Sequence, residues 1–184
     1  VYDGSLTGNA NRLKMYFDGV PVTLNMLGTI PATIPTQTVP MRLGVYGGGD
    51  AQGAVDDARI YNRALTAQEV SDLFLATNGL STGLVGHWRL DETSGTSAAD
   101  SSGNGYNGTM VNGLSGTNTA TGQVSTSLTF DNNDDYISVA DNNALDLTNF
   151  TLSTWIYPNT TNEVNNLFEK GPAGGPTDAY FFVQ

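Results

Sequence analysis

The sequence predicts an all-β protein, an antiparallel β-sandwich with one short helix. Three observations predict it. Gly, Asn and Thr fill 63 of the 184 positions, whereas Lys occurs twice and Glu four times, a balance of turn formers and β-branched residues over helix formers. Apolar residues alternate with polar ones in short runs, and Gly, Pro, Asn and Asp clusters separate the runs. A single segment combines helical spacing with a helix start signal.

The elements follow in order. Leu13, Met15 and Phe17 alternate with Lys14 and Tyr16, and Asp18-Gly19 turns the chain into a second strand over Val20–Leu27, where Pro21 marks an edge. Three prolines make 28–40 an extended loop. Strands are expected at Met41–Tyr46 and Ala54–Tyr61, the latter unusual for its adjacent Asp56 and Asp57. Thr66 and Glu69 form a capping box ahead of the apolar stripe Val70, Leu73 and Phe74, and Asn78-Gly79 stops the helix. Leu84–Leu90 places Leu84, Gly86, Trp88 and Leu90 on one strand face. A polar Ser/Gly/Asn stretch, 93–108, precedes strands at Thr109–Val111, Val124–Phe130, Tyr136–Val139, Phe150–Tyr157, Asn166–Lys170 and Tyr180–Val183. About ten strands and one helix read as a sandwich.

A formal net charge of −11 repels phosphate, so neither nucleic acid nor an anionic membrane surface is an expected partner. No run of eighteen apolar residues is present, so membrane insertion is not expected. The chain opens at Val1 without a basic, apolar leader, which suggests a signal peptide absent or already removed. Zero cysteines exclude disulfides, thiolate zinc sites and cysteine nucleophiles. Low Lys with abundant Asn and Thr suits a secreted or surface-displayed protein.

The segment from Val55 to Thr66 (Val-Asp-Asp-Ala-Arg-Ile-Tyr-Asn-Arg-Ala-Leu-Thr), with its helix, resembles the end of a laminin-G-like domain of the concanavalin A-like jelly-roll type. The run from Gly83 to Glu92, the loop Asp100–Thr109, Leu128–Val139 and Phe150–Pro158 are similar to the opening part of the same domain type. The ending half therefore precedes the beginning half: residues 1–78, a linker at 79–83, then 84–184. A window on a tandem array and a circular permutant both fit. In either case the halves are expected to close into one sandwich, within or between chains, with about two family strands missing between the ends. An exposed sheet edge near both termini follows, and with it self-association through strand swapping or open edges.

The resemblance implies calcium held near the loops, with Asp56, Asp57, Asp100 and Asn104 as metal ligands, since Ca2+ takes oxygen ligands from carboxylates, amides and carbonyls. The alternative is structural: Asp56 or Asp57 pairs with Arg59 or Arg89, and Asp100 makes an Asx turn. A second oxygen-rich cluster at 131–135 reads as a solvated β-turn. Trp88 and Trp155 are expected in the core, while Tyr46 and Tyr106, beside glycines or in a polar loop, are the candidate ligand-binding aromatics. His87, the one histidine, lacks companions for a zinc site and is read as structural.

No catalytic constellation is present: Glu69, Glu92, Glu163 and Glu169 form no paired set, and no nucleophile elbow or phosphate loop occurs. The expectation is a non-catalytic, extracellular carbohydrate-binding or adhesion module stabilised by calcium, with glycans or surface glycoproteins as partners. The alternative is a structural spacer or self-assembling repeat unit.

Overall fold

The computed structural model describes residues 1–44, 51–75, 79–131, 133–159, 166–171 and 180–183. In chain order the elements are β1 (Tyr2–Asp3), α1 (Asn9–Arg12), β2 (Met15–Phe17), β3 (Val20–Val22), β4 (Met41–Leu43), β5 (Gln52–Tyr61) and α2 (Ala67–Phe74). They continue as β6 (Leu84–Trp88), β7 (Ser97–Ala98), β8 (Gly108–Val111), β9 (Thr119–Thr121), β10 (Thr126–Asp131), β11 (Tyr136–Val139), a 3-10 turn (Asn143–Leu145), β12 (Asn149–Pro158), β13 (Asn166–Lys170) and β14 (Tyr180–Val183).

Two six-stranded antiparallel sheets pack face to face as a sandwich. The first has the order β1-β12-β5-β10-β9, with β6 also on β5; the second runs β14-β13-β4-β11-β8-β7. The hairpin β2–β3 stands apart as its own two-stranded unit, turned by Asp18 (φ 50°) and Gly19 (φ 73°), a left-handed pair that matches strand twist. Each six-stranded sheet takes strands from both sides of the 79–83 segment. Central β5 pairs with β6, β10 and β12, while β4 lies between β11 and β13.

Alternation builds the core. Val55, Ala58, Ile60, Trp88, Leu128 and Phe130 face Met41, Leu43, Met110, Ile137, Val139 and Phe168 in one buried cluster. Trp88 lies so closely over Gly86 that a Cβ there would sit 2.4 Å from its ring, and the indole Nε1 donates to the Tyr106 carbonyl at 2.9 Å.

Trp155 departs from the expected core position. It is half-buried and packs against Phe74 of α2, ring centroids 5.3 Å apart, on the outer face of the first sheet. Phe150, Leu152 and Ile156 are the β12 residues that pack on the core, so period-two alternation points Trp155 outward. Two expected strands are also shorter: β3 ends at Val22 rather than Leu27, whose side chain is 96% exposed, and β6 ends at Trp88 rather than Leu90.

The helix forms as its capping box dictates. Glu69 N–H donates to Thr66 Oγ1 at 3.2 Å, and Thr66 N–H donates to Glu69 Oε2 at 2.8 Å. Arg63 adds a two-pronged contact to Glu69 at 2.7 and 2.9 Å, which ties the end of β5 to the first turn of α2.

Lys170 is the largest fully buried cation, with no exposed side-chain surface. Its Nζ donates to the carbonyls of Gln37 and Val39 and to Asp141 Oδ1, with Asp146 Oδ1 at 3.7 Å. One ammonium thus gathers the proline-rich loop, the 141–146 turn and β13.

Candidate functional site

The acidic pair in β5 sits where the β5–β12 register breaks between Ser153 and Trp155, and Asp57 takes the left-handed conformation (φ 53°). Both carboxylates are buried as a result, at 3% and 7% exposure. Asp57 is saturated: its Oδ2 lies 2.7 Å from Arg59 Nη2, and its Oδ1 accepts from His87 Nε2 at 2.5 Å. Burial works to raise the Asp57 carboxyl. The hydrogen bond from His87 and the charge of Arg59 outweigh it and hold the group below its ordinary value.

Asp56 is different. Its Oδ2 accepts from Val124 N–H at 2.8 Å, but its Oδ1 is buried without a hydrogen-bond partner. Burial raises this carboxyl, and the neighbouring charges of Asp57 and Asp91 push the same way against the N–H groups of Val124 and Gln123. Asp91 Oδ1 in turn accepts from Thr126 N–H at 3.0 Å, so the two carboxylates clasp the 122–126 turn from below. Glu92 Oε2 and Ser127 Oγ are likewise buried without partners. A carboxylate oxygen left bare at this depth costs several kcal/mol unless it protonates or meets a cation.

That orphaned atom is the test of whether calcium fits. Asp56 fits, as a hard oxygen donor with a second carboxylate in electrostatic reach. The other three residues that the resemblance implies are already engaged. Asp100 accepts from His87 N–H and Ser102 N–H on Oδ1, and from Ser102 Oγ and Tyr106 N–H on Oδ2, all at 2.8–3.0 Å. The Ser102 bond is an Asx turn, and these donors hold the Asp100 carboxyl below its ordinary value against its burial. Asn104 Nδ2 donates to the Val85 carbonyl at 2.8 Å, pinning the same loop to β6. Asp100 and Asn104 therefore fix the loop and Asp57 fixes His87; Asn104 does so through its Nδ2, and of the three carboxylates Asp56 alone keeps a buried oxygen without a hydrogen bond.

A second acidic group forms at the β10–β11 turn. Ligand oxygens of Asp131, Asp134 and Asp135 all lie within 4.8 Å of one another, close enough to hold a metal ion. Burial, then the charges of Asp131 and Asp134, raise the Asp135 carboxyl. The solvated turn expected of this segment thus has a buried end, since Asp135 is 3% exposed.

Of the two candidate ligand aromatics, Tyr46 lies outside the described residues. Tyr106 is half-buried against the core and lines an open cleft of ≈ 480 Å³ together with Asn104. Asn62, Asp146, Thr148 and Asn149 supply further polar groups to it, from the end of β5 and the segment leading into β12. Sequence reading brought Tyr106 and Asn104 forward separately, as a ligand contact and a metal ligand. The fold places them on one wall, and it adds Asp146 and Asn149, which carry no local motif. A second cleft of ≈ 370 Å³ lies on the outer face of the first sheet, between β12, the β2–β3 hairpin and α2.

The sequence profile of the concanavalin A-like lectin/glucanases superfamily matches residues 1–71, the part that carries β1 to β5 and most of α2. No curated protein and no solved structure matches the chain. Over residues 1–71 the chain is thus similar to the concanavalin A-like lectin/glucanase domains, and the antiparallel sandwich built on those residues is consistent with that fold.

Proposed function

We propose that this domain is a non-catalytic, extracellular carbohydrate-binding or adhesion module stabilised by calcium, which takes a glycan in the cleft shared by Tyr106 and Asn104. The observation that carries the reading is the composition of that cleft: an aromatic ring beside convergent amide, hydroxyl and carboxylate groups in a ≈ 480 Å³ opening. Hydroxyl-rich ligands need such donors and acceptors, and the C–H face of a pyranose packs on a ring such as Tyr106. The three glutamates among the described residues support a non-catalytic reading. Glu69 is committed to Arg63 and the helix cap, Glu92 Oε1 accepts from Ala99 N–H, and Glu169 pairs with Arg42 at 3.3 Å. Calcium on the bare Asp56 oxygen would supply positive charge that lets that carboxylate stay ionised and fix the 122–126 turn.

The test is a glycan-array and polysaccharide pull-down screen, run with calcium and with chelator, on the wild-type chain and on Tyr106→Ala. Retention that falls at least tenfold in the variant supports the cleft. Retention unaffected by the substitution refutes that location. No retention in either arm, from folded protein, moves the reading to a structural spacer or self-assembling repeat unit.

A further inference from the structure

The ≈ 480 Å³ cleft is unevenly furnished for charge. Among the described residues no Lys, Arg or His lines it, and its one charged side chain is Asp146. Asp146 lies between the 3-10 turn and β12, with its side chain 13% exposed. Its Oδ1 accepts from Gln37 N–H at 3.2 Å and lies 3.7 Å from Lys170 Nζ. Asp146 accepts no other hydrogen bond among the described residues, so Oδ2 is left for a ligand.

The neighbouring cations do not offset that charge. Lys170 has no exposed side-chain surface, and its one ammonium stands between two carboxylates, Asp141 and Asp146, so one negative charge remains over. Arg63, next to Asn62 in the chain, spends its guanidinium on Glu69 and on the Thr82 carbonyl. The amides sharpen the bias. Asn104 Nδ2 donates to the Val85 and Leu84 carbonyls at 2.8 and 3.3 Å, which leaves its oxygen, a second acceptor. Asn149 is the reverse, since its Oδ1 accepts from Gly4 N–H at 2.8 Å and its Nδ2 remains a donor. The hydroxyls of Tyr106 and Thr148 can act either way.

We propose that this cleft selects neutral glycans, and that Asp146 is the residue that excludes uronic, sialic and sulfated sugars from it. The inference rests on the glycan reading above and adds the charge class of the ligand. A sugar hydroxyl donates as well as accepts, so it satisfies Asp146 Oδ2 and the Asn104 oxygen while accepting from Asn149. A carboxylate or sulfate oxygen only accepts. Placed in the same cleft it meets two acceptors and a like charge, with no cation to replace the water it loses. Such a repulsive element separates ligands whose attractive contacts are otherwise alike. At physiological salt, charges more than about 8 Å apart are largely screened, so the discrimination belongs to Asp146 and not to the net charge of the chain.

The experiment measures retention on a glucan, a galactan and a mannan, each beside the same polymer oxidised at C6 to the uronate, in about 0.15 M salt. Wild type should retain its preferred neutral polymer at least about tenfold better than the oxidised form. Asp146→Asn keeps an oxygen for Gln37 N–H, removes the charge and turns the second oxygen into a donor. The neutral-to-uronate ratio should then fall at least about fivefold. Thr148→Lys, at an exposed position of the same cleft, should lower the ratio likewise by supplying a cation. Asp18→Asn removes an equal charge from the β2–β3 turn, away from this cleft, and should leave the ratio unchanged. The proposal alone is overturned by a wild-type ratio near one, by a ratio that either cleft substitution leaves unmoved in folded protein, or by an equal fall in Asp18→Asn. Retention of neither form of any polymer overturns it together with the glycan reading.

Discussion

Replacing Asp56 by Asn separates a cation site from a mere buried carboxylate. The side chain is 3% exposed, one oxygen accepts from Val124, and the other is bare. Asn keeps the acceptor and the shape but removes the charge that Asp57 and Asp91 oppose. In chelator the variant should therefore be as stable as the wild type, or more stable by about 0.5–1 kcal/mol. The sign with pH follows from the raised carboxyl. The folded chain holds this proton more tightly than the unfolded chain, so the stability it contributes is full below the ordinary carboxylate value and is lost as pH rises through the folded one. Between pH 4 and 7 in chelator, the wild type should thus lose Tm relative to the variant. Calcium reverses the comparison. At a hundredfold excess over its dissociation constant it adds about 2.7 kcal/mol to the wild type, a rise of roughly 5–11 °C for a domain of this size. Differential scanning fluorimetry with calcium and with chelator reads both effects. A full calcium-induced rise retained in Asp56→Asn refutes the assignment of the ion to this residue, and a wild type indifferent to chelator refutes the ion.

Asp100→Ala should cost about 2–4 kcal/mol in urea unfolding, equally with and without calcium, because it strips four donors of their acceptor rather than an ion of its ligand. Lys170→Met should cost about 1–3 kcal/mol by the same measurement, as it removes the buried ammonium that ties the half-buried carbonyls of Gln37 and Val39 to the exposed Asp141. The Glu69 carboxyl lies at about 2, held down by its bond from Arg63 and by Thr66. Its stabilising contribution is present above the unfolded value of 4.5 and is lost as pH falls toward about 2, so the Tm gap between wild type and Glu69→Gln should close over that interval.

Much of the fold is legible where one local rule decides the outcome. Tyr136–Val139 alternates cleanly and forms that strand, and the Thr66–Glu69 box starts the helix where the spacing places it. The two-residue strands Tyr2–Asp3 and Ser97–Ala98 are not legible, because each is defined by the strand it meets and not by its own residues. Trp155 was legible in principle, since Leu152 and Ile156 fix its phase, but a tryptophan in an apolar run draws attention to the core first. At the site, the types of Asp56, Asp57, Asp100 and Asn104 indicate oxygen chemistry, yet their employment depends on partners distant in sequence. Val124 lies 68 positions from Asp56, and His87 lies 30 from Asp57. No spacing rule reports that Asp56 keeps a bare buried oxygen while Asp57 and Asp100 are bonded on both of theirs.

The position of β5 governs how this chain is made. Its three sheet neighbours all follow it in sequence, and the last of them ends at Pro158. At ordinary translation rates the ribosome therefore delivers the final partner roughly 5–20 s after β5 has emerged. β6 and β10 become available on one edge during that interval, but the other edge of a ten-residue strand containing Val55, Ala58 and Ile60 stays unpaired until β12 arrives. Nascent chains of this order should consequently depend on holding chaperones until synthesis passes β12, and pauses placed before that strand should lower the yield of folded product more than pauses after it.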